Sequence, residues 1–240
     1  MIEAPDNNEL VSFDEIRKAF QVFSQDLSIV GHENDSPISI FDRPNKHGEY
    51  SLTLLPAEIA EQEIIRKLEQ AKIVINGCMD KRQAKLLYEH IGGNYQPKEI
   101  VILFWGGGIV QGGTRKGVEK RREAMKTILR YLSQHTQDLE SAYLTNHDGR
   151  CGAIAYSLKV PSGEMPPGLG QKGSDQERRI TKRLIAGGIV DLVPKKWKDE
   201  DKVQAALVIL DEENEAISLE KFDYTQEEPL RAIDLPGLKF

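Results

Sequence analysis

The chain has 240 residues, 39% of them hydrophobic and 29% charged, and a formal net charge of −6. Such a chain can bury a real core and is too apolar for wholesale disorder, while its acidic excess argues against a dedicated nucleic-acid binder, which needs surplus Lys and Arg to displace counterions. The opening MIEAPDNNELVSFDEI lacks the basic start and apolar run of an export signal, and no apolar stretch approaches the ~20 residues that cross a bilayer, so a cytoplasmic protein without membrane partners is expected.

Ser12 and Glu15 form a capping-box pattern that predicts a helix from Phe13 to about Leu27. Strand-like runs follow at 38–41 (ISIF) and 50–55 (YSLTLL), and Pro56 stands where its missing N–H suits the first turn of a helix over 56–70. Residues 1–56 thus read as an N-terminal arm, 57–220 as one α/β domain and 221–240 as a tail. Within the domain, short apolar runs at 72–76 (KIVIN), 99–105 (EIVILFW) and 141–146 (SAYLTN) read as buried strands. Helical patterns at 82–91 and 116–134 separate them, the second gathering Val118, Met125, Ile128, Leu129 and Leu132 on one side. Strand, helix, strand, helix, strand predicts a parallel sheet with right-handed crossovers, which binds ligands at the carboxyl ends of its strands.

After the third strand come a small helix (GAIAYSLK), a Pro/Gly-rich loop at 161–173, and a second capping-box pair, Ser174 and Glu177, opening a helix over 174–188 that finishes on Gly187-Gly188. Runs at 203–210 and 214–219 read as a hairpin. The glycines from Gly106 to Gly113 meet neither the phosphate-loop nor the dinucleotide pattern, so a close-packed turn is expected there. The basic run Arg115 to Arg122 reads as a solvated helix face, and His32, His47, His90 and His135 as solvated surface groups.

Only two cysteines occur, and each lies just beyond a predicted strand, Cys78 after KIVIN and Cys151 after SAYLTN together with His147. Thiolate sulfur and imidazole nitrogen are the donors zinc favours in tetrahedral geometry, and a Cys₂His set leaves one position open for water or substrate. One zinc per chain, held by Cys78, His147 and Cys151, is therefore the expected cofactor. Its charge would bring the pKa of a bound water from 15.7 toward about 7. Asp80 and Arg82 follow Cys78 at two-residue steps, which in an extended segment puts all three on one side. Asp80 can accept a hydrogen bond from that water, and the fork of Arg82 can hold Asp80 ionised.

The run Cys78-Met79-Asp80-Lys81-Arg82 resembles the Cys-x-Asp-x-Arg motif of the β-class carbonic anhydrases, and His147 with Cys151-Gly152 resembles their second motif, a histidine closely followed by Cys-Gly. The resemblance covers roughly residues 57–220. It implies an α/β fold of four parallel strands plus one antiparallel strand, flanked by helices, in a homodimer or higher homo-oligomer. It also implies reversible hydration of carbon dioxide to bicarbonate, with Cys78, His147 and Cys151 as ligands and Asp80 and Arg82 as an orienting dyad. The family also has an active-site glutamine upstream of the first cysteine, and Gln70 resembles it only in order along the chain, at a looser spacing than the two motifs. Three residues, Asp148-Gly149-Arg150, separate His147 from Cys151 where the family usually has two, and Phe104-Trp105-Gly106-Gly107-Gly108 replaces an Arg-Asn-Ala-Gly-like segment. Two further expectations follow: a zinc-binding relative without hydratase activity that serves a binding or regulatory role, or a hydrolase of a carbon dioxide analogue such as carbon disulfide.

Overall fold

The computed structural model describes residues 10–27, 61–78, 81–105, 107–110, 115–148, 151, 154–155, 174–210 and 216–231. The strand-like runs at 38–41 and 50–55, the start of the helix at Pro56, the loop at 161–173, and His32 and His47 lie outside these residues, as do the side chains of Arg115 to Val118. Among the described residues no helix is long and apolar enough to cross a membrane.

Helix α1 (Phe13–Leu27) opens on the expected capping box. The Ser12 N–H and hydroxyl donate to Glu15 Oε2 at 2.8 and 2.7 Å, and the Glu15 N–H returns a bond to Ser12 Oγ at 3.3 Å. Helix α2 (Glu61–Leu68), strand β1 (Ile73–Cys78), helix α3 (Lys81–Ile91) and strand β2 (Ile100–Trp105) follow. Next come helix α4 (Arg115–His135), strand β3 (Ser141–His147), helix α5 (Asp175–Leu192), a short helix α6 (Lys195–Asp199), and strands β4 (Val203–Leu210) and β5 (Ala216–Phe222).

The strands form one five-stranded sheet in the order β2-β1-β3-β4-β5. The first four are mutually parallel and β5 runs antiparallel to β4, so the fold is α/β with four parallel strands plus one antiparallel. Alternation along each strand divides the core between two faces. On one, Val74, Ala142 and Leu144 meet Ile16 and Phe20 of α1, Met125, Ile128 and Leu129 of α4, and Leu184 and Ile185 of α5. On the other, Ile73, Ile75, Ile102 and Val208 meet Leu87 and Ile91 of α3. The chain leaves β1 toward β2 on one side and later adds β3 on the other. The crevice where the order reverses, beyond the carboxyl ends of β1 and β3, is where open α/β sheets place ligands.

Three sequence expectations need correction. Helix α5 does not finish at Gly187-Gly188 but continues to Leu192. The two glycines are places of close approach: a β-carbon on Gly187 would stand 2.1 Å from the Leu230 carbonyl oxygen, and one on Gly188 would stand 2.4 Å from that of Ile109. His135 is half-buried, with its ring centroid 4.4 Å from that of Tyr131, and burial lowers its pKa. Arg122 is not on a solvated face, since it pairs with Asp191 of α5, which also receives Arg231 at 2.6 Å.

Candidate metal centre

Cys78 is the last residue of β1, His147 the last of β3, and Cys151 follows four residues later, so parallel pairing of adjacent strands brings all three to one end of the sheet. Their ligand atoms lie within 4.8 Å of one another, and all three side chains are buried. Around a tetrahedral zinc, with Zn–S about 2.3 Å and Zn–N about 2.0–2.1 Å, donor atoms stand roughly 3.5–3.8 Å apart. With separations of at most 4.8 Å, one ion lies within reach of all three donors. Two sulfurs and one imidazole are also the donor chemistry such an ion takes, so the residues fit, and the group can hold one metal ion.

The surroundings prepare each donor. His147 Nδ1 lies 2.9 Å from the Asp148 carbonyl oxygen. A carbonyl only accepts, so Nδ1 carries the hydrogen and Nε2 keeps its lone pair for an ion. The Asn146 carboxamide is fully buried, accepts the His147 N–H at 2.9 Å and lies 3.8–3.9 Å from the Cys151 sulfur. Hydrogen bonding from Cys78, then hydrogen bonding and charge from His147, hold the Cys151 thiol well below its usual range despite burial, which opposes ionisation. Thiolate is the form that binds metal.

Cys78 is served from β2's exit. Gly107 and Gly108 have φ of 84° and 50°, a region that L side chains rarely enter. The turn they make brings the Gly107 N–H to within 3.4 Å of Cys78 Sγ. Gly108 starts a buried 3-10 turn, Gly108–Val110, so residues 107–110 of the glycine run form a close-packed turn beside the cluster, while Gly106 and residues 111–113 lie outside the described residues. Gln83, fully buried in α3, donates from Nε2 to the Cys78 carbonyl at 2.8 Å.

Of the residues expected from sequence, Cys78, His147 and Cys151 come together. Asp80 lies outside the described residues, and of Arg82 the backbone is described, in the first turn of α3, but not the side chain. Gln70 does not join the cluster. It is exposed, donates to the Arg66 carbonyl at 3.1 Å, and precedes β1 at the end opposite Cys78. Sequence reasoning missed Asn146, Gln83 and Asp148, polar residues buried around the donors. The available signal was local: each lies within five residues of a proposed ligand in a segment entering or leaving a strand. Compared with protein-family models, curated proteins and solved structures, the chain finds no match in any of the three.

Proposed function

We propose that this chain is a zinc protein of the β-class carbonic anhydrase type, which hydrates carbon dioxide reversibly to bicarbonate. The observation that carries the reading is the buried convergence of Cys78, His147 and Cys151 at the carboxyl ends of β1 and β3. The sheet of four parallel strands plus one antiparallel strand supports it as well.

Zinc in a three-ligand site supplies Lewis acidity and brings the pKa of water from 15.7 to about 7. The chain supplies the rest. Thiolates at Cys78 and Cys151 offset the charge of a divalent ion, and His147 presents Nε2 because Nδ1 is committed to the Asp148 carbonyl. The Gly107 N–H and the Asn146 carboxamide hold the two sulfurs in place. Burial of all three donors limits bulk water around them. In this proposal Asp80, between the end of β1 and the start of α3, orients the attacking water by accepting its hydrogen bond, and Arg82 keeps Asp80 ionised. A homodimer and a cytoplasmic location belong to the same proposal.

A second reading is a zinc-binding relative without hydratase activity. What favours it is the glycine turn, where a main-chain N–H, rather than a side chain, faces the Cys78 sulfur. Stopped-flow hydration combined with metal analysis separates the two readings. The first expects about one zinc per chain and turnover across roughly pH 6.5–9, which brackets a water pKa near 7. Stoichiometric zinc without turnover would leave the second. A protein purified without chelator that contains no zinc and takes up none would remove both. Carbon disulfide as alternative substrate tests the hydrolase variant.

A further inference from the structure

We propose that Asp148 and Arg178 are positioning residues of the metal centre, which hold in place the carbonyl that turns His147 toward the ion. The proposal rests on the reading of Cys78, His147 and Cys151 as metal ligands.

The carbonyl in question belongs to Asp148, and three interactions fix that residue. Its N–H donates to the Val208 carbonyl at 3.0 Å, its Oδ1 accepts the Leu210 N–H at 2.8 Å, and its Oδ2 lies 3.2 Å from Arg178 Nε. The pairing of β4 with β5 shifts register between Ile209 and Leu210, at the residue whose N–H is given to Asp148. The ends of β3 and β4 and the first turn of α5 therefore converge on one carboxylate adjacent in sequence to a metal ligand.

Energetics make the arrangement specific. The Asp148 side chain is 0% exposed, and an ionised carboxylate in such a place requires both a countercharge and hydrogen bonds. Arg178 supplies the countercharge from the rim, with its side chain 34% exposed. A neutral hydrogen-bonding residue could hold a loop, but a charge pair reaching from a separate helix couples the loop's position to α5. Groups one shell outside a metal commonly set ligand orientation and basicity, and their loss typically weakens metal binding by about 10–100-fold.

The competing explanation is a buried ion pair that serves only folding. The full chain with Arg178→Met, Arg178→Lys and Asp148→Asn distinguishes them through zinc affinity against a competing chelator, the visible spectrum of the cobalt-substituted protein, and melting with and without metal. We expect Arg178→Met to bind zinc about 10–100-fold more weakly, to shift the cobalt bands, and to lose part of the stabilisation zinc gives. Arg178→Lys should recover much of the affinity, because an ammonium retains the countercharge. If Arg178→Met melts lower with and without zinc by the same amount, while its affinity and cobalt spectrum stay as in the wild type, the pair is structural and the proposal is overturned. Should Asp148→Asn fail to fold, the two variants at the rim-exposed Arg178 decide. Wild-type protein that takes up no metal overturns the ligand reading, and this proposal with it.

Discussion

A β-carbon on Gly108 would stand 2.9 Å from the amide nitrogen of Cys78. The same atom would lie 2.8 Å from the Gly77 carbonyl carbon and 2.9 Å from the Thr145 carbonyl oxygen, and the φ of Gly108 is +50°. All three neighbours are backbone, from the two strands that end in Cys78 and His147, so none can move aside as a flexible side chain would. Gly108→Ala should therefore cost roughly 2–5 kcal/mol, the sum of a left-handed backbone at a non-glycine residue and overpacking. Denaturant titration checks the size. A loss below about 0.5 kcal/mol, the ordinary range for a surface change, would show that the turn yields and does not brace β1.

The glycine pair in α5 gives the opposite of the usual rule. Gly→Ala inside an exposed helix gains up to about 1 kcal/mol, because glycine is the poorer helix former. Here Gly188→Ala would press on the Ile109 carbonyl and should instead lose about 1–3 kcal/mol of global stability. Gly187→Ala presses on Leu230, whose N–H donates to the Arg183 carbonyl at 3.0 Å and which belongs to no helix or strand. Its effect should be more local, seen as faster hydrogen exchange and proteolysis around Leu230, with a smaller drop in midpoint. Stabilisation by either alanine would contradict these close approaches.

Those glycines also mark where sequence stopped informing. The strands and their parallel order were legible because IVIN, IVILFW and SAYLTN are short apolar runs separated by helical patterns such as Met125, Ile128, Leu129 and Leu132, all now buried. Cys78, His147 and Cys151 were legible because soft donors at two predicted strand ends meet once those strands pair. Gly187-Gly188 was misread because a glycine that ends a helix and one that admits another backbone look alike in sequence. What tells them apart is Ile109 and Leu230, about 79 and 43 residues away. Asp148 was seen only as part of an extra-residue spacing, since its partners Leu210 and Arg178 belong to other elements. The glycine segment was noted for the side-chain donors it lacks, while the N–H that Gly107 offers Cys78 depends on positive φ.

Tyr131 predicts an alkaline limit. It is 1% exposed, its hydroxyl has no hydrogen-bond partner among the described residues, and burial, with a smaller contribution from the Glu61 charge, pushes its pKa from 10.0 up to about 12. A raised phenol pKa means that above pH 10 the unfolded chain loses this proton first, while the folded chain keeps it. Stability is then full below about pH 10 and falls between there and about 12, at up to about 1.4 kcal/mol per pH unit for one proton. Tyr131→Phe removes both the ionisation and an unsatisfied buried hydroxyl. It should be neutral or about 1 kcal/mol stabilising at pH 7 and should flatten the alkaline decline. Urea midpoints of both proteins from pH 7 to about 11.5 test this; parallel curves would exclude Tyr131 as the titrating group.

The proposed reaction is tested most directly at Asp80. Asparagine there keeps nearly the same shape but cannot carry a charge or accept a proton, and Cys78, His147 and Cys151 are left untouched. If Asp80 orients the attacking water, Asp80→Asn should retain about one zinc per chain and lose at least ~100-fold in carbon dioxide hydration, the range for a positioned acid–base group. Both quantities must be measured on the same preparation, because a loss of turnover that accompanies loss of zinc would place Asp80 among the groups that hold the metal. Zinc retained with turnover unchanged would remove it from the mechanism. Arg82→Lys adds a graded version: it keeps the positive charge but not the planar fork, so an orienting pair predicts an intermediate rate. A rate equal to wild type would mean that Arg82 acts on Asp80 by charge alone.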